Sequence, residues 1–406
     1  MLVRRFVNQK VFLEVLRPAS SFNLSCHRKY SVKKTPSAIT LMDHLKQRIK
    51  ATGPITVASY MKEALTNPVW GYYMKTDVFG KEGDFTTSPE ISQIFGELIA
   101  IWLVLQWSEM NKPTPFQLVE LGPGRGTLMS DIVRVFQQFK GNIDDKFSIH
   151  FVEVSEKMKQ MQRHNLKVSE KKDMIENTNI KVNWHSKIQD VPKGLSLYIA
   201  HEFFDALPVH LFQKKEGHWR EILVNLSSSQ QVLEFVTAPG ASPLAMSMNL
   251  PEDVDQCEIC PEAGVVMACI SQNIAEHGGC SLIVDYGVQR SDRFSLRGFK
   301  NHELVSDVLE APGHCDLTTN VDFGFLKQHS HSDVTCHGPV TQKTFLMQMG
   351  IRERLQALLR NANERQAQNL LSSYDYLTSN QKMGEKFKVM AVTKHKPKDP
   401  LAGFHS

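Results

Sequence analysis

Apolar residues recur along this 406-residue chain at two periods, one helical and one strand-like. The helical spacing predicts two short helices at 41–50 and 56–66, parted by Gly53-Pro54, and then a turn-rich stretch from Gly71 to Pro89. Ser88–Trp107 predicts a longer helix, with Ile91, Ile94, Phe95, Leu98, Trp102 and Leu105 on one apolar stripe. Ser88 reads as its N-cap, with Pro89 at the first helical position and Glu90 behind it. Beyond Pro113 and Pro115 the pattern changes. Phe116–Leu121 reads as a buried strand, Thr127–Phe139 as a helix, Phe147–Val154 as a strand and Ser155–Asn165 as a helix capped by Ser155. Short strands near 180–184 and 195–200, a helix at 261–277 and a strand at 280–286 continue the alternation. Strands alternating with helices imply an α/β fold on a parallel, doubly wound sheet. Residues 208–250 break that rhythm: Val209–Gln213, Trp219–Asn225 and Gln231–Val236 predict an inserted antiparallel meander. Helices from about 341 to 378 and a strand at Phe387–Thr393 close the pattern.

Charge changes the picture at the N-terminus. Residues 1–34 hold eight Lys and Arg against Glu14 alone, a local +7 that leaves the rest at −3 out of a total of +4. Bases mixed with apolar residues and serines, almost free of acid, are the composition of a mitochondrial import segment, and Arg28-Lys29-Tyr30-Ser31 resembles a matrix-peptidase site. The expected organisation is therefore a transit peptide and lead over 1–38, a helical lid segment over 39–115, and a core over 116–396 with its insertion at about 208–260. A disordered basic tail that stays attached is the alternative. A body at −3 argues against a broad phosphate-binding surface, hence against nucleic acid as partner. No uncharged apolar run reaches 18 residues, so no membrane-spanning helix is expected. Seven cysteines, an odd number, in a chain bound for a reducing compartment do not suggest a disulfide framework. Cys257-x-x-Cys260 has no second pair at zinc-site spacing, so no metal is expected.

The chemistry concentrates in three places. Glu120-Leu-Gly122-Pro-Gly124-Arg-Gly126 stands directly between a predicted strand and a predicted helix. Alternate glycines let the backbone turn sharply and leave a face without Cβ atoms, against which a ligand can lie. A dinucleotide fingerprint wants its third glycine one residue later, where this chain has Thr127. A plain tight turn is the alternative. Glu153, 27 residues after Gly126 at the tip of the next strand, can accept hydrogen bonds from both hydroxyls of a ribose. His201-Glu202-Phe203-Phe204-Asp205-Ala-Leu-Pro208 follows the strand at 195–200, outside the carboxyl end where open parallel sheets bind ligands. Glu202 and Asp205, with two rings between them, suit a cationic or amino substrate: the acids orient the nitrogen and the rings stack on a planar group. Otherwise the rings are core and Glu202 is a helix N-terminal acid.

An acid two residues ahead of alternate glycines resembles motif I of Rossmann-like methyltransferases, whose loop wraps the amino-acid part of S-adenosylmethionine. With it, the stretches 80–90, Glu120–Leu128, Glu202–Pro208, Asp285-Tyr-Gly287, 312–317 and Val321-Asp-Phe323 resemble the MidA family of methyltransferases, and within it the mitochondrial branch, over nearly everything from about residue 40 to 393. The resemblance implies a class I methyltransferase sheet and S-adenosyl-L-methionine as cofactor. Glu120, Gly122, Gly124, Gly126 and Glu153 would hold it, and a lid would bring Asp84 and Thr87 near. It also implies ω-nitrogen methylation of an arginine on a core subunit of the matrix arm of complex I, giving symmetric dimethylarginine. Glu202 is then the first choice for the carboxylate that fixes the guanidinium plane, Asp205 the second and Asp285 a reserve. His201 departs from the Asn of many bacterial members, so contact with the reacting nitrogen and support of the loop both stay open. Two other classes stand beside this one: a non-catalytic assembly chaperone that binds the cofactor, and an amino-methyltransferase acting on RNA or a small molecule. The meander has two candidate uses, gripping a partner subunit or pairing with a second copy in a homodimer.

Overall fold

A computed structural model describes residues 39–75, 87–138, 146–248, 250–394 and 400–405. The expected transit peptide and Asp84 lie outside the described residues. The central sheet is built from β1 (Phe116–Leu121), β2 (Phe147–Val152), β3 (Lys181–His185), β4 (Ser196–His201), β5 (Gly279–Val288), β6 (Thr335–Thr341) and β7 (Phe387–Thr393). Its order is β6-β7-β5-β4-β1-β2-β3, with two short strands continuing past β3. All neighbours from β3 to β5 are parallel, and β7 is antiparallel to both β5 and β6. The chain order reverses between β1 and β4, which opens a crevice at their carboxyl ends. The α/β class, parallel sheet, helical N-terminal segment and inserted meander are all present.

Strand alternation decides which layers meet the sheet. Phe116 and Leu118 on β1 pack with the helices Gln93–Glu109 and Thr127–Gln137, while Val119 and Leu121 face the helix Pro261–His277. Gln93–Glu109 is apolar nearly all round and buried, with Glu97 inside it held by Arg354 at 2.7 Å and Arg134 at 3.2 Å. The helices Leu41–Thr52 and Val57–Thr66 form a separate apolar cluster with the meander strands His210–Lys215, His218–Leu226 and Leu233–Thr237.

Three sequence expectations shift. The helix expected over 88–107 is two pieces, Ser88–Ile91 and Gln93–Glu109, because Ser92 is extended and caps the second piece through Ile94 N. The N-cap of the first piece is Thr87, not Ser88, whose buried hydroxyl instead lies 3.6 Å from Met383 Sδ. The strand Thr335–Thr341 and the small sheet Arg297–Lys300, Glu303–Leu304 and Asp316–Thr318 had no sequence signal. Gly338-Pro339 reads as a breaker, yet it sits at a bulge in an edge strand, where proline is tolerated.

Candidate functional site

A cavity of about 740 Å³ opens at the carboxyl ends of β1 and β4. Its floor is the turn from β1 into the helix Thr127–Gln137. Gly122, Gly124 and Gly126 have φ of +60°, +50° and +78°, a left-handed run that side chains disfavour. A Cβ on Gly122 would stand 3.0 Å from the Phe203 ring, and one on Gly126 2.9 Å from Leu166 Cδ1. A Cβ on Gly124 would meet no atom of the described residues within 4 Å, so the loop presents bare backbone to the cavity there.

Glu120 precedes this loop on β1. It is buried, its Oε2 has no hydrogen-bond partner among the described residues, and burial pushes its carboxyl well above the usual range. A buried acid without a partner is costly, and a cation entering the cavity would relieve it. The amino-acid ammonium of S-adenosylmethionine is such a cation, so orphan acid and bare glycine backbone together fit this cofactor.

Glu153 lies at the end of β2 and lines the same cavity. Ser155 N donates to its Oε1 at 2.8 Å and Gln162 Nε2 to its Oε2 at 3.2 Å. Burial raises its carboxyl, and the bonds from Ser155 and Gln162 pull it back. Gln162 also donates to Gly124 O at 2.7 Å and accepts from Trp184 Nε1 at 2.8 Å, tying the glycine loop to the expected ribose acid. Sequence reasoning passed over Gln162. Its signal was the spacing of Met158 and Gln162, which share the buried side of an otherwise polar helix.

The third element turns off β4. Glu202 takes φ +51°, a left-handed backbone held as Glu202 N donates to Val284 O. Such strain in a non-glycine residue persists only where its surroundings enforce it, and it clusters at functional sites. Asp285 does the enforcing: its Oδ2 accepts from Phe203 N, Phe204 N and Asp205 N at 3.2, 2.9 and 3.3 Å. The side chain of Glu202 is 8% exposed, its Oε1 has no hydrogen-bond partner among the described residues, and His201 Nε2 lies 3.6 Å away. Burial foremost, then the charges of Asp205 and Asp316, push the Glu202 carboxyl well above its ordinary value. His201 is equally buried, and desolvation lowers its imidazole to about 3, so it is neutral.

The structure therefore brings Glu120, Gly122, Gly124, Glu153, Thr87, Glu202 and Asp205 to one cavity. Gly126 stands just behind, starting the helix. The two rings part company: Phe203 lines the cavity, while Phe204 is core. The Asp205 carboxylate accepts from Thr318 Oγ1 at 2.7 Å, and Thr319 N donates to its carbonyl at 2.9 Å. Asp285, the reserve candidate, organises the loop from beneath. Two lining residues that carried no sequence role join them, Asp316 and Tyr73, with Tyr73 OH donating to Asp316 Oδ1 at 2.6 Å. Among the described residues no three His, Cys, Asp or Glu are grouped to hold a metal ion, and no helix is long and apolar enough to cross a membrane.

Residues 98–340 match the model of a family described as S-adenosyl-L-methionine-dependent methyltransferase. The chain is 48% identical over 369 residues to the mouse (Mus musculus) protein arginine methyltransferase NDUFAF7, mitochondrial, covering 87% of this chain and 84% of that protein. It is 41% identical over 389 residues to the Drosophila melanogaster homologue of the same name, covering 90% and 88%. A Burkholderia thailandensis protein crystallised with S-adenosyl-homocysteine shares the fold at a TM-score of 0.73 and 22% identity, over 90% of this chain and 92% of that one.

Proposed function

The chain belongs to the family of S-adenosyl-L-methionine-dependent methyltransferases, and from that premise we propose that it methylates an ω-nitrogen of arginine on a core subunit of complex I in the mitochondrial matrix. Symmetric dimethylarginine is the product of this reading. The relatives' names and the basic, acid-poor residues 1–34 support the substrate class and the compartment.

One observation carries the reading: the buried Glu202, whose Oε1 has no hydrogen-bond partner among the described residues, stands at the carboxyl end of β4 and lines the cavity that the glycine loop floors. Glu120 and the backbone at Gly122 and Gly124 would hold the amino-acid part of the cofactor, and Glu153 the ribose. Bound there, the cofactor supplies an electrophilic methyl group on a sulfonium that leaves readily. A guanidinium stays protonated up to a pH of about 12 and is a poor nucleophile while its charge is delocalised. Glu202 fixes its plane, concentrates electron density on the reacting nitrogen and accepts the proton that nitrogen sheds at Oε1. Phe203 covers one side of the cavity and keeps water from the exchange. Alignment of this kind is worth roughly 7–11 kcal/mol.

Glu202→Gln tests the reading, because it keeps the shape and removes the charge. Cofactor affinity by calorimetry should stay at the parent value. Methyl incorporation into the purified subunit at saturating cofactor should fall at least about a hundredfold, the equivalent of about 2.7 kcal/mol. Full incorporation would take the orienting role from Glu202. Label entering RNA or no acceptor at all would replace the substrate class.

A further inference from the structure

We infer that Asp316 is a second carboxylate of the guanidinium site, working with Glu202, and that Tyr73 is its positioning residue. This inference rests on the arginine reading above and names the rest of the same site.

Beside Glu90, which lines the cavity and whose charge also raises the Glu202 carboxyl, four acids crowd its substrate end, and the hydrogen bonds of these four sort them. Asp285 accepts from three successive backbone N–H groups and does not line the cavity. Asp205 lines it, but Thr318 Oγ1 and the backbone N–H of Ala206 bond to its carboxylate, and the Arg297 charge acts on it. Both are tied into the fold. Glu202 lines the cavity, accepts one backbone bond from Ser88, and leaves Oε1 without a hydrogen-bond partner among the described residues. Asp316 enters from a different element, the strand Asp316–Thr318 of the small sheet, and is brought in by the phenol of Tyr73 from the 3-10 turn Tyr72–Met74. Asp316 is near enough for its charge to raise the Glu202 carboxyl. Burial and the neighbouring acids push the Tyr73 phenol upward as well, so it stays a proton donor that holds Asp316 and is no base.

The chemistry of the ligand decides what such a pair is for. Two like charges buried close together repel, and a cation between them turns that cost into attraction. A guanidinium is planar, with five N–H donors in a rigid fork, and can bond one carboxylate along each of two edges. An ammonium is a compact point charge that one acid serves as well as two. A carboxylate pair on separate elements, one braced by a tyrosine, is thus a device for selecting arginine over lysine.

The experiment uses the full chain loaded with S-adenosylhomocysteine, titrated with N-acetylarginine amide and N-acetyllysine amide, together with methyl transfer to the subunit. In Asp316→Asn the arginine probe should bind at least about tenfold more weakly, with the rise in methyl transfer's KM exceeding the fall in kcat. Cofactor affinity should stay within about twofold. Tyr73→Phe should cost less and move the acid limb of kcat/KM to higher pH, because Asp316 loses the bond that favours its ionised form. A merely structural tyrosine would leave that limb in place. Parent-like arginine binding in Asp316→Asn, or an unmoved acid limb in Tyr73→Phe should Asp316→Asn fail to fold, overturns the pair and leaves the arginine reading intact. A parent protein that neither binds the arginine probe nor labels arginine overturns both.

Discussion

Gly124→Ala separates binding from folding more sharply than any other change in the glycine loop. The new Cβ meets no atom of the described residues within 4 Å, so it clashes with none of them, and the penalty is conformational. Gly124 sits at φ +50°, where an alanine costs roughly 1–2 kcal/mol. The same Cβ, however, occupies the space where the proposed placement lays the cofactor's amino-acid part against the backbone. Forcing a methyl into a well-packed contact costs about 1–3 kcal/mol, or about a 5- to 150-fold loss of cofactor affinity. Gly126→Ala is the internal control. At φ +78° it carries a similar strain, and its Cβ also runs to within 2.9 Å of Leu166 Cδ1 and 3.4 Å of Gln162 Cγ, away from the open cavity. Calorimetric titration with S-adenosylhomocysteine and thermal melting of both variants should give opposite orders. Gly124→Ala loses more affinity, and Gly126→Ala loses more stability. Parent-like affinity in Gly124→Ala, or a larger melting loss there than in Gly126→Ala, would refute the placement of the cofactor.

Glu153→Ala should weaken cofactor binding by roughly ten- to a hundredfold, the loss of a charge-assisted hydrogen bond worth about 1.5–3 kcal/mol, with turnover at saturating cofactor unchanged; normal affinity with slow turnover would move Glu153 away from the ribose. Burial holds His201 at about 3 in the fold against about 6.5 unfolded, so the unfolded chain takes up a proton that the native state refuses. Its contribution to stability is complete above about pH 6.5 and is lost as pH falls towards 3, by up to about 1.4 kcal/mol per unit. The stability difference between the parent and His201→Asn, from denaturant midpoints across pH 7 to 4.5, should therefore change in that direction, and a constant difference would show that the imidazole is not held neutral.

Much of this architecture is written locally in the sequence. Phe116–Leu121, Pro261–His277 and Phe387–Thr393 stand within their expected bounds because each is a run of one period flanked by breakers or caps. The glycine loop is legible for the same reason: strand, turn and helix are contiguous, and alternate glycines admit few other uses. What escaped is non-local or contradicts its neighbourhood. Tyr73 and Asp316 are 243 residues apart, and nothing in either segment announces that they meet. Gln162 looks like surface in a helix of charged residues until Trp184 and Gly124 are placed against it. The left-handed turn at Glu202 opposes local preference, and bonds to β5, at Val284 O and the Asp285 carboxylate, hold it in place.

That last feature explains how one small volume can hold so many acids. Burial raises the carboxyls of Glu120, Glu202, Asp205 and Asp285 alike, so each opposes folding in its charged form. The fold offsets this for Asp285 with three backbone N–H donors and for Asp205 with Thr318, and these two build the loop. It supplies no such donor to Glu120 Oε2 or Glu202 Oε1 among the described residues, and both atoms belong to side chains that line the cavity. On the proposed reading, the division suits a reaction of two cations, with the unpartnered Glu120 Oε2 beside the glycine loop for the cofactor's ammonium and the unpartnered Glu202 Oε1 beyond β4 for the substrate. Satisfying both atoms internally would stabilise the protein and, on that reading, remove the attraction that draws each ligand in, so stability is given up there for selectivity.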